Sequence, residues 1–386
     1  MGINMRNHLK KQLDLIYKDK KILDNYSFTL FYFIKSLYDN CLMNGTSNIF
    51  FLSREGKFLK RLYEMYADTR GDEKRAKTHY LYVSRKSVSL SCMNCLEEES
   101  FLPFRGYNDM SVVQFLKGLS LTDNEILDIS NSLTFNSTSV VKNFFNSEVF
   151  KELIKNNHFK EAYERKRASS KTALLTYLQN SGLIDAPNPV VVDIGWGGTM
   201  QYYLSNLLAD QQIEGYYLGI SWGGDNSHYL DHKKGLLFDY RDGNSIFLID
   251  YFLYELICVA DHGATVGYTA SGEPILVEDS DCEIYEREFK DIQNNIAEKF
   301  MRINTAFGDS KDMRFLKKYI SLKYGHMLLT LNKKEKRILS FANTKHEDNF
   351  VTRDKIVNIK YWLSFIKKKI RLILEYLKVV FALYIE

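Results

Sequence analysis

The sequence predicts an α/β protein with a parallel-sheet core, and three observations support this fold class. Short apolar runs alternate with helical patterns along the chain. Strand–helix–strand units of this length are typical of parallel sheets with right-handed crossovers. The clearest unit, VVVDIGWGGTMQYYLSNLL at 190–208, has the pattern of a strand, a glycine-rich turn and an amphipathic helix, and the two prolines just before it do not fit inside a ladder.

The apolar runs predict four strands, at 49–52, at 79–85, from 190 and at 215–221. The segment 246–277 predicts a helix followed by a hairpin or edge strands. The predicted organisation is N-terminal helices at 1–45, an α/β catalytic core at 46–90 and 187–280, a helical insertion at 91–186, and C-terminal helices with a basic amphipathic tail at 281–386.

Composition and charge exclude several classes of protein. The chain has 386 residues, of which 45% are hydrophobic and 14% aromatic, so it can bury a large core. A net charge of +4 gives no reason to expect a nucleic-acid partner. The five cysteines show neither a disulfide framework nor a zinc spacing, so we expect free thiols. The sequence has no apolar signal core and no membrane-spanning run, so we expect a cytoplasmic protein.

Three loops follow predicted strands at their carboxyl ends, where open parallel sheets bind ligands. The candidate site residues in these loops are Ser53, Arg54, Glu55, Gly56 and Lys57, then Ser84 and Arg85, then Asp193, Gly195, Trp196, Gly197, Gly198 and Thr199. Arginine matches phosphate oxygens with paired donors, and a glycine-rich turn before a helix exposes backbone N–H groups to an anion. Thr199 also suits the N-cap position. Together the loops predict a phosphate-binding site.

A methyl donor is one alternative ligand for the glycine-rich turn. The D-x-G-x-G-x-G motif of S-adenosylmethionine-dependent methyltransferases matches Asp193, Gly195 and Gly197, but Thr199 stands at its last position. That motif is usually followed by an acidic residue at the end of the next strand, and YLGISWGG contains none. The Gly-Gly-Thr that opens the helix favours a phosphate, and the methyltransferase is kept as an alternative function.

The segment VVVD followed by GGTMQYYLSNLL resembles the signature of phosphoribosyltransferases, in which an apolar strand and an acid precede a helix opened by G-G-T or T-G-x-T. The set FLSREGKFL, YVSRKS, VVDIGWGGTMQ and ELICVADHGATVGY is similar to a bacterial group found in surface-polysaccharide gene clusters. This group includes ribofuranose-installing glycan phosphoribosyltransferases. The resemblance covers about residues 45–90 and 187–270, roughly a third of the chain.

The resemblance implies a phosphoribosyltransferase-like, Rossmann-like core and a glycosyltransferase-type activity. The enzyme would move 5-phosphoribofuranose from phosphoribosyl diphosphate to a hydroxyl of a glycan or lipid-linked glycan, in capsule or O-antigen biosynthesis. Such proteins are often fused to or encoded beside haloacid-dehalogenase-type phosphatases that remove the 5-phosphate. No D-x-D motif opens this sequence, so the phosphatase would be a separate protein. Mg²⁺ is the implied cofactor.

Site roles follow from the resemblance by position. The pyrophosphate is assigned to Arg54, Glu55, Gly56 and Lys57 beside Ser53, with Arg85 assisting beside Ser84. The 5-phosphate is assigned to Gly197, Gly198 and Thr199, which follow Gly195 and Trp196. Asp193 is expected to contact the ribose hydroxyls or the metal. A glycan hydroxyl is a poor nucleophile, so a base is needed, and the candidates are Asp193, Glu255, Asp261 and His262.

The end of the sequence predicts a basic amphipathic helix. Its apolar positions are Trp362, Phe365, Ile366, Ile370, Ile373, Leu377 and Val380, and its cations are Lys367, Lys368, Lys369, Arg371 and Lys378. This pattern suits a helix in a membrane interface, or an ordinary packed helix with solvated lysines. A membrane-facing tail would place the protein at the inner face of the cytoplasmic membrane. A non-catalytic, membrane-associated polysaccharide assembly protein is therefore a further alternative, and the insertion at 91–186 is expected to build an acceptor pocket.

Overall fold

The computed structural model describes residues 3–72, 75–209, 211–221, 232–243, 245–277, 281–308, 310–344 and 370–381. The strands are β1 (Asn48–Leu52), β2 (Lys77–Leu81), β3 (Val190–Asp193), β4 (Glu214–Ile220), β5 (Lys233–Asp239), β6 (Thr265–Tyr268) and β7 (Pro274–Leu276). The helices are α1 (Ile3–Lys18), α2 (Ser27–Met43), α3 (Gly56–Asp68), α4 (Arg85–Ser91), α5 (Val112–Gly118), α6 (Asp123–Asn131), α7 (Glu148–Lys155), α8 (Asn157–Asn180), α9 (Thr199–Leu207), α10 (Leu253–Ile257), α11 (Asp281–Ile284), α12 (Lys290–Phe307), α13 (Met313–Leu329), α14 (Lys333–Thr344) and α15 (370–381).

Strands β1 to β5 form one parallel sheet in the order β2-β1-β3-β4-β5. The predicted α/β class with a parallel sheet is therefore confirmed. The edge strand β5 was not predicted, because it opens with two lysines, Lys233 and Lys234, before its apolar run. Strands β6 and β7 form a separate antiparallel hairpin.

The sheet is covered on both faces, as a parallel sheet must be. Alternate residues of a strand point to opposite faces. Phe51 and Val192 join a large core with α2, α3 and α12, whereas Phe50 and Val191 pack with α4, α8 and α9. The helix after β1 and the helix after β3 therefore lie on opposite faces of the sheet.

The insertion between β2 and β3 has an apolar core of its own. Phe115 lies at its centre, with ring centroids 5.2 Å from Phe101 and 5.4 Å from Phe144. Helix α8 joins this core to the sheet, because its residue Phe159 packs inside the insertion and Leu174 packs on the sheet. The insertion is thus held against the sheet by one continuous helix of 24 residues.

Helix α2 is buried nearly all round, between the sheet and the C-terminal helices. A buried ion pair ties the turn before it to α12: Lys299 Nζ lies 2.8 Å from Asp24 Oδ2, and each side chain is 2% exposed. Lys299 also donates to Asn25 Oδ1 at 2.9 Å. Burial raises the pKa of Asp24 and lowers the pKa of Lys299, since both charged forms lose water.

Strand β2 is shorter than the sequence predicted. It ends at Leu81 rather than 85, because Ser84 and Ser87 cap each other's backbone N–H groups in a capping box, so that Arg85 begins α4. None of the described helices is long and apolar enough to cross a membrane. Of the predicted tail, the positions 362, 365, 366 and 367–369 lie outside the described residues.

Replacing Lys299 with methionine should destabilise the fold strongly. The change leaves the Asp24 carboxylate buried without its cation, which costs about 3–5 kcal/mol. The measurement is the free energy of unfolding in urea. Lys290→Met is the matched control, since Lys290 pairs with Glu286 at the surface, where such pairs contribute about 0–1 kcal/mol. Equal losses for the two variants would contradict the assignment of Lys299 to a buried structural pair.

Candidate functional site

A cavity of about 340 Å³ lies at the carboxyl ends of the parallel strands. The strand order reverses between β1 and β3, because β2 lies on one side of β1 and the later strands lie on the other. The loops after β1 and β3 therefore diverge to opposite faces, and open α/β sheets bind ligands at this point. The predicted residues that line this cavity are Ser53, Arg54, Glu55, Ser84, Arg85, Asp193, Gly195, Trp196, Gly197, Gly198, Thr199 and Glu255. The structure therefore brings all three predicted loops to one cavity.

The loop after β1 is fixed to the loop after β2. Ser53 Oγ donates to the Val83 carbonyl at 2.6 Å and accepts from the Val83 N–H at 3.0 Å. Glu55 accepts a hydrogen bond from the Arg54 N–H at 3.2 Å. Gly56 does not line the cavity. It lets α3 begin directly above β1, because a Cβ there would lie 2.9 Å from the carbonyl carbon of Phe51.

The loop after β3 requires its glycines. Gly195 has φ 141°, and a Cβ there would lie 2.3 Å from the Gly219 carbonyl oxygen. Gly198, at φ 72°, is the N-cap of α9, so Thr199 is the first helical residue rather than the predicted N-cap. Lys233 supports the turn by donating to the Gly197 carbonyl at 2.8 Å. With no side-chain cap, the first N–H groups of α9 remain available to an anion.

Three carboxylates influence one another in this cavity. Asp193, at the end of β3, is 5% exposed and accepts from the Ile194 N–H at 2.7 Å. Burial, followed by the negative charges of Glu55 and Glu255, raises the pKa of Asp193 well above its ordinary value. Burial likewise raises the pKa of Glu55, against the opposing charge of Arg54. A proton, a cation or a hydrogen-bond donor would therefore stabilise this group of carboxylates.

Arg85 brings positive charge to the same cavity. It is exposed at the start of α4, and its charge partly opposes the rise in the pKa of Asp193. The preceding Ser84 donates to the Thr265 carbonyl at 2.6 Å, which attaches the helix start to the β6–β7 hairpin. The arginine is thus presented by a rigid helix end, which favours recognition of an anion.

Trp196 orients the third carboxylate. Its indole Nε1–H donates to Glu255 Oε1 at 2.7 Å. The indole also stacks on Phe238, with ring centroids 5.9 Å apart, and meets Tyr251 edge-on at 4.5 Å. One oxygen of Glu255 is therefore held by a ring that is itself fixed by packing, and the carboxylate lines the cavity in a defined position.

Besides Gly56, three predicted site residues do not line this cavity: Lys57, Asp261 and His262. Lys57 and Asp261 line a separate cavity of about 300 Å³, where Lys57 Nζ lies 2.5 Å from Asp261 Oδ1. Burial acts to raise the pKa of Asp261, but the hydrogen bond and the positive charge of Lys57, with smaller contributions, together outweigh it, so the net pKa is lowered. His262 has both ring nitrogens occupied, by Tyr80 Oη at 2.7 Å and by the Gly263 carbonyl at 2.9 Å.

These contacts fix the imidazole ring of His262 in the loop after α10. A carbonyl can only accept, so Nδ1 carries the proton and Nε2 accepts from the hydroxyl of Tyr80. Burial lowers the pKa of His262, which keeps the ring neutral. Of the four predicted bases, Asp193 and Glu255 are the two that line the cavity.

Sequence patterns missed several residues of the cavity wall. Tyr217, Ser221 and Tyr251 line it. Ser221 is the most informative, because its buried hydroxyl has no hydrogen-bond partner within the described part of the chain. Its place directly after β4 was the available signal, since the polar residues after β1 and β3 lie at the same edge of the sheet.

No set of three or more His, Cys, Asp or Glu side chains within the described ranges is placed to hold a metal ion alone. No protein-family model matches the sequence, and no curated protein matches it.

Gly195→Ala should be far more destabilising than Gly45→Ala. Both glycines have positive φ, which costs an alanine about 1–2 kcal/mol, but Gly45 has open space around it. At Gly195 the new Cβ would also collide with the backbone of β4, so the loop must leave the sheet. Urea unfolding of the two variants measures the difference. Equal costs would show that the β3 loop does not pack on β4 as described.

Proposed function

We propose that the chain is a phosphoribosyltransferase that moves 5-phosphoribose from phosphoribosyl diphosphate to a hydroxyl of a glycan. The main support is the cavity at the point where the strand order reverses, because it combines two arginines, a helix start without a side-chain cap and three carboxylates. A sugar that carries a phosphate at each end offers an anion to both cationic regions, and its ring hydroxyls can donate to the carboxylates.

The donor is proposed to span the cavity between the β1 and β3 loops. Arg54 and Arg85 hold the pyrophosphate, since guanidinium groups bind phosphate oxygens with paired donors. The backbone N–H groups at the start of α9, after Gly198, hold the 5-phosphate with the help of the helix dipole. Asp193 lies between them at the end of β3 and accepts hydrogen bonds from the ribose hydroxyls.

The reaction breaks the C1–O bond, and its electron pair leaves with the pyrophosphate. The acceptor oxygen forms the new bond to C1, and its proton goes to a base. Glu255 suits this role better than Asp193, because it is partly exposed and is oriented by Trp196, whereas Asp193 is buried at the strand end. The arginines stabilise the negative charge that develops on the leaving group.

The carboxylates also suit Mg²⁺. This ion is usually bound through one or two carboxylates together with substrate phosphates, so a complete protein cage is not required. Burial and the negative charges of Glu55 and Glu255 raise the pKa of Asp193, and a cation beside these carboxylates would reduce their repulsion. When bound with the donor, Mg²⁺ would neutralise pyrophosphate charge, and Asp193 with Glu55 would hold it.

A second cavity, of about 400 Å³, is the proposed acceptor site. It shares two helices with the donor cavity, because α4 and α9 both begin beside the donor cavity and continue to this one. Its walls carry Tyr202, Tyr203 and Asn206 from α9, and Arg167 and Lys171 from α8. Aromatic rings beside amide and cationic groups suit a saccharide, because the rings cover its apolar face and the polar groups bind its hydroxyls.

The wall that the insertion contributes to the acceptor cavity is held by hydrogen bonds within the insertion and to α8. Glu99 accepts from the N–H groups of Asn94 and Phe101, each at 2.7 Å. Tyr163 donates to the Asn94 carbonyl at 2.7 Å, and Glu164 accepts from the Leu96 N–H at 2.8 Å. The wall is therefore preformed, as is usual for small-molecule sites.

Replacing either cavity arginine should weaken donor binding. Arg54→Gln and Arg85→Gln each remove charge-assisted hydrogen bonds worth about 1.5–3 kcal/mol, so the Kd for phosphoribosyl diphosphate with Mg²⁺ should rise about 10- to 100-fold. Calorimetric titration measures the Kd. Arg165→Gln is the control, since Arg165 pairs with Glu125 on the insertion. Binding of S-adenosylmethionine instead would support the methyltransferase, and binding of neither ligand would support a non-catalytic assembly protein.

Glu255→Gln should separate binding from chemistry. Loss of a positioned base lowers turnover about 10²- to 10⁴-fold, and the thermal stabilisation by phosphoribosyl diphosphate should remain. Pyrophosphate release with water as acceptor measures turnover without the natural glycan. Asp261→Asn is the control and should keep its turnover, because Asp261 lies outside the donor cavity. Full pyrophosphate release by Glu255→Gln would remove Glu255 from the base role.

A further inference from the structure

Helix α15, at 370–381, has one face that packs on the protein. Leu372 is buried in the main core, and Tyr376 and Val379 pack against that core. The ring of Tyr376 lies directly over Gly325 of α13, where a Cβ would come within 2.6 Å of it. These three positions fall on one side of a helix with 3.6 residues per turn, so the helix is docked in a defined rotation.

The opposite face of α15 is apolar and exposed. Its five large apolar side chains are between 42% and 64% exposed, and they are Ile370, Ile373, Leu374, Leu377 and Phe381. Their spacing of three, one, three and four residues forms a continuous stripe along the helix. No other described helix carries more than two exposed large apolar side chains, and Leu127 and Val140 in the insertion stand on separate segments.

Positive charge accompanies this stripe. Arg371 and Lys378 are exposed along one of its sides. Glu375 is paired with Lys378 at 2.8 Å, and its own side chain is only 13% exposed. In sequence, residues 360–380 contain six lysines or arginines and this single acid. An apolar stripe with a cationic border is the pattern of a helix that lies in the interface of an anionic bilayer.

We propose that the exposed face of α15 binds the surface of an anionic lipid bilayer, with the helix lying parallel to the membrane plane. The five apolar side chains enter the boundary of the acyl chains, and the lysines and arginines contact the lipid phosphates. Two-fold pairing with a second copy fits less well, because it would bring the cationic borders of the two helices together. The inference does not depend on the proposed transferase activity.

The test is co-sedimentation of the full chain with vesicles of phosphatidylcholine, with or without phosphatidylglycerol. The wild-type protein should bind the anionic vesicles, and the double variant Leu374→Glu/Leu377→Glu should partition more than about tenfold less. Leu127→Glu/Val140→Glu makes the same chemical change on the insertion and should bind as the wild type does. Thermal unfolding of each variant checks that the fold is intact.

A separate comparison tests the contribution of the cationic border to vesicle binding. Arg371→Gln/Lys378→Gln should weaken binding to anionic vesicles and leave the weak binding to neutral vesicles unchanged. Raising the salt from about 0.15 M to about 1 M shortens the screening length from about 8 Å to about 3 Å and should have the same effect.

Three outcomes would overturn the proposal. The first is a wild-type protein that binds neither kind of vesicle, which would mean that another part of the chain covers the stripe. The second is unchanged vesicle binding by Leu374→Glu/Leu377→Glu. The third is a wild-type dimer, seen by light scattering, that this variant converts to a monomer, because the stripe would then be an interface between copies.

Discussion

Burial of both faces of the parallel sheet is the constraint on which the rest of the structure depends. A parallel strand cannot leave either face to water, so the crossover helices must cover both sides. If all crossovers are right-handed, helices reach both faces only when the order of strand addition reverses within the sheet, and here it reverses between β1 and β3. That reversal of strand order separates the loops that begin with Ser53 and Ile194, and the space between them becomes the candidate-site cavity.

Local sequence could predict the strands that are apolar throughout, and it failed where a strand or a helix end depends on polar contacts. The run before Asp193 is apolar at every position because β3 is a central strand. Edge strand β5 instead begins with Lys233, whose stem lies against Gly198 and whose ammonium group binds the Gly197 carbonyl. This contact joins residues far apart in sequence, so no local pattern could reveal it.

In the candidate site, too, some residues could be placed from the sequence and others could not. The loops at Arg54, Arg85 and Asp193 could be grouped from sequence because the carboxyl ends of parallel strands share one edge. That Lys57 lines a different cavity could not be read from the sequence, since a helix that begins at Gly56 directs successive side chains to different sides. Asp261 follows Glu255 closely in sequence, but α10 ends at Ile257 and the chain then turns toward a different cavity.

The charges in the candidate-site cavity oppose one another in a way that favours a particular class of ligand. Buried carboxylates repel, and Asp193 is held near Glu55 and Glu255 at a cost in stability. A protein keeps such an arrangement where a ligand or a cation relieves it. S-adenosylmethionine carries its methyl group on a positive sulfonium, so it brings no paired phosphates for Arg54 and Arg85 to bind. The buried hydroxyl of Ser221, which has no hydrogen-bond partner among the described residues, adds a further polar group to the wall. A hydroxylated sugar with phosphate at both ends would satisfy the arginines, the carboxylates and the helix start together, which is why we favour it over the alternatives.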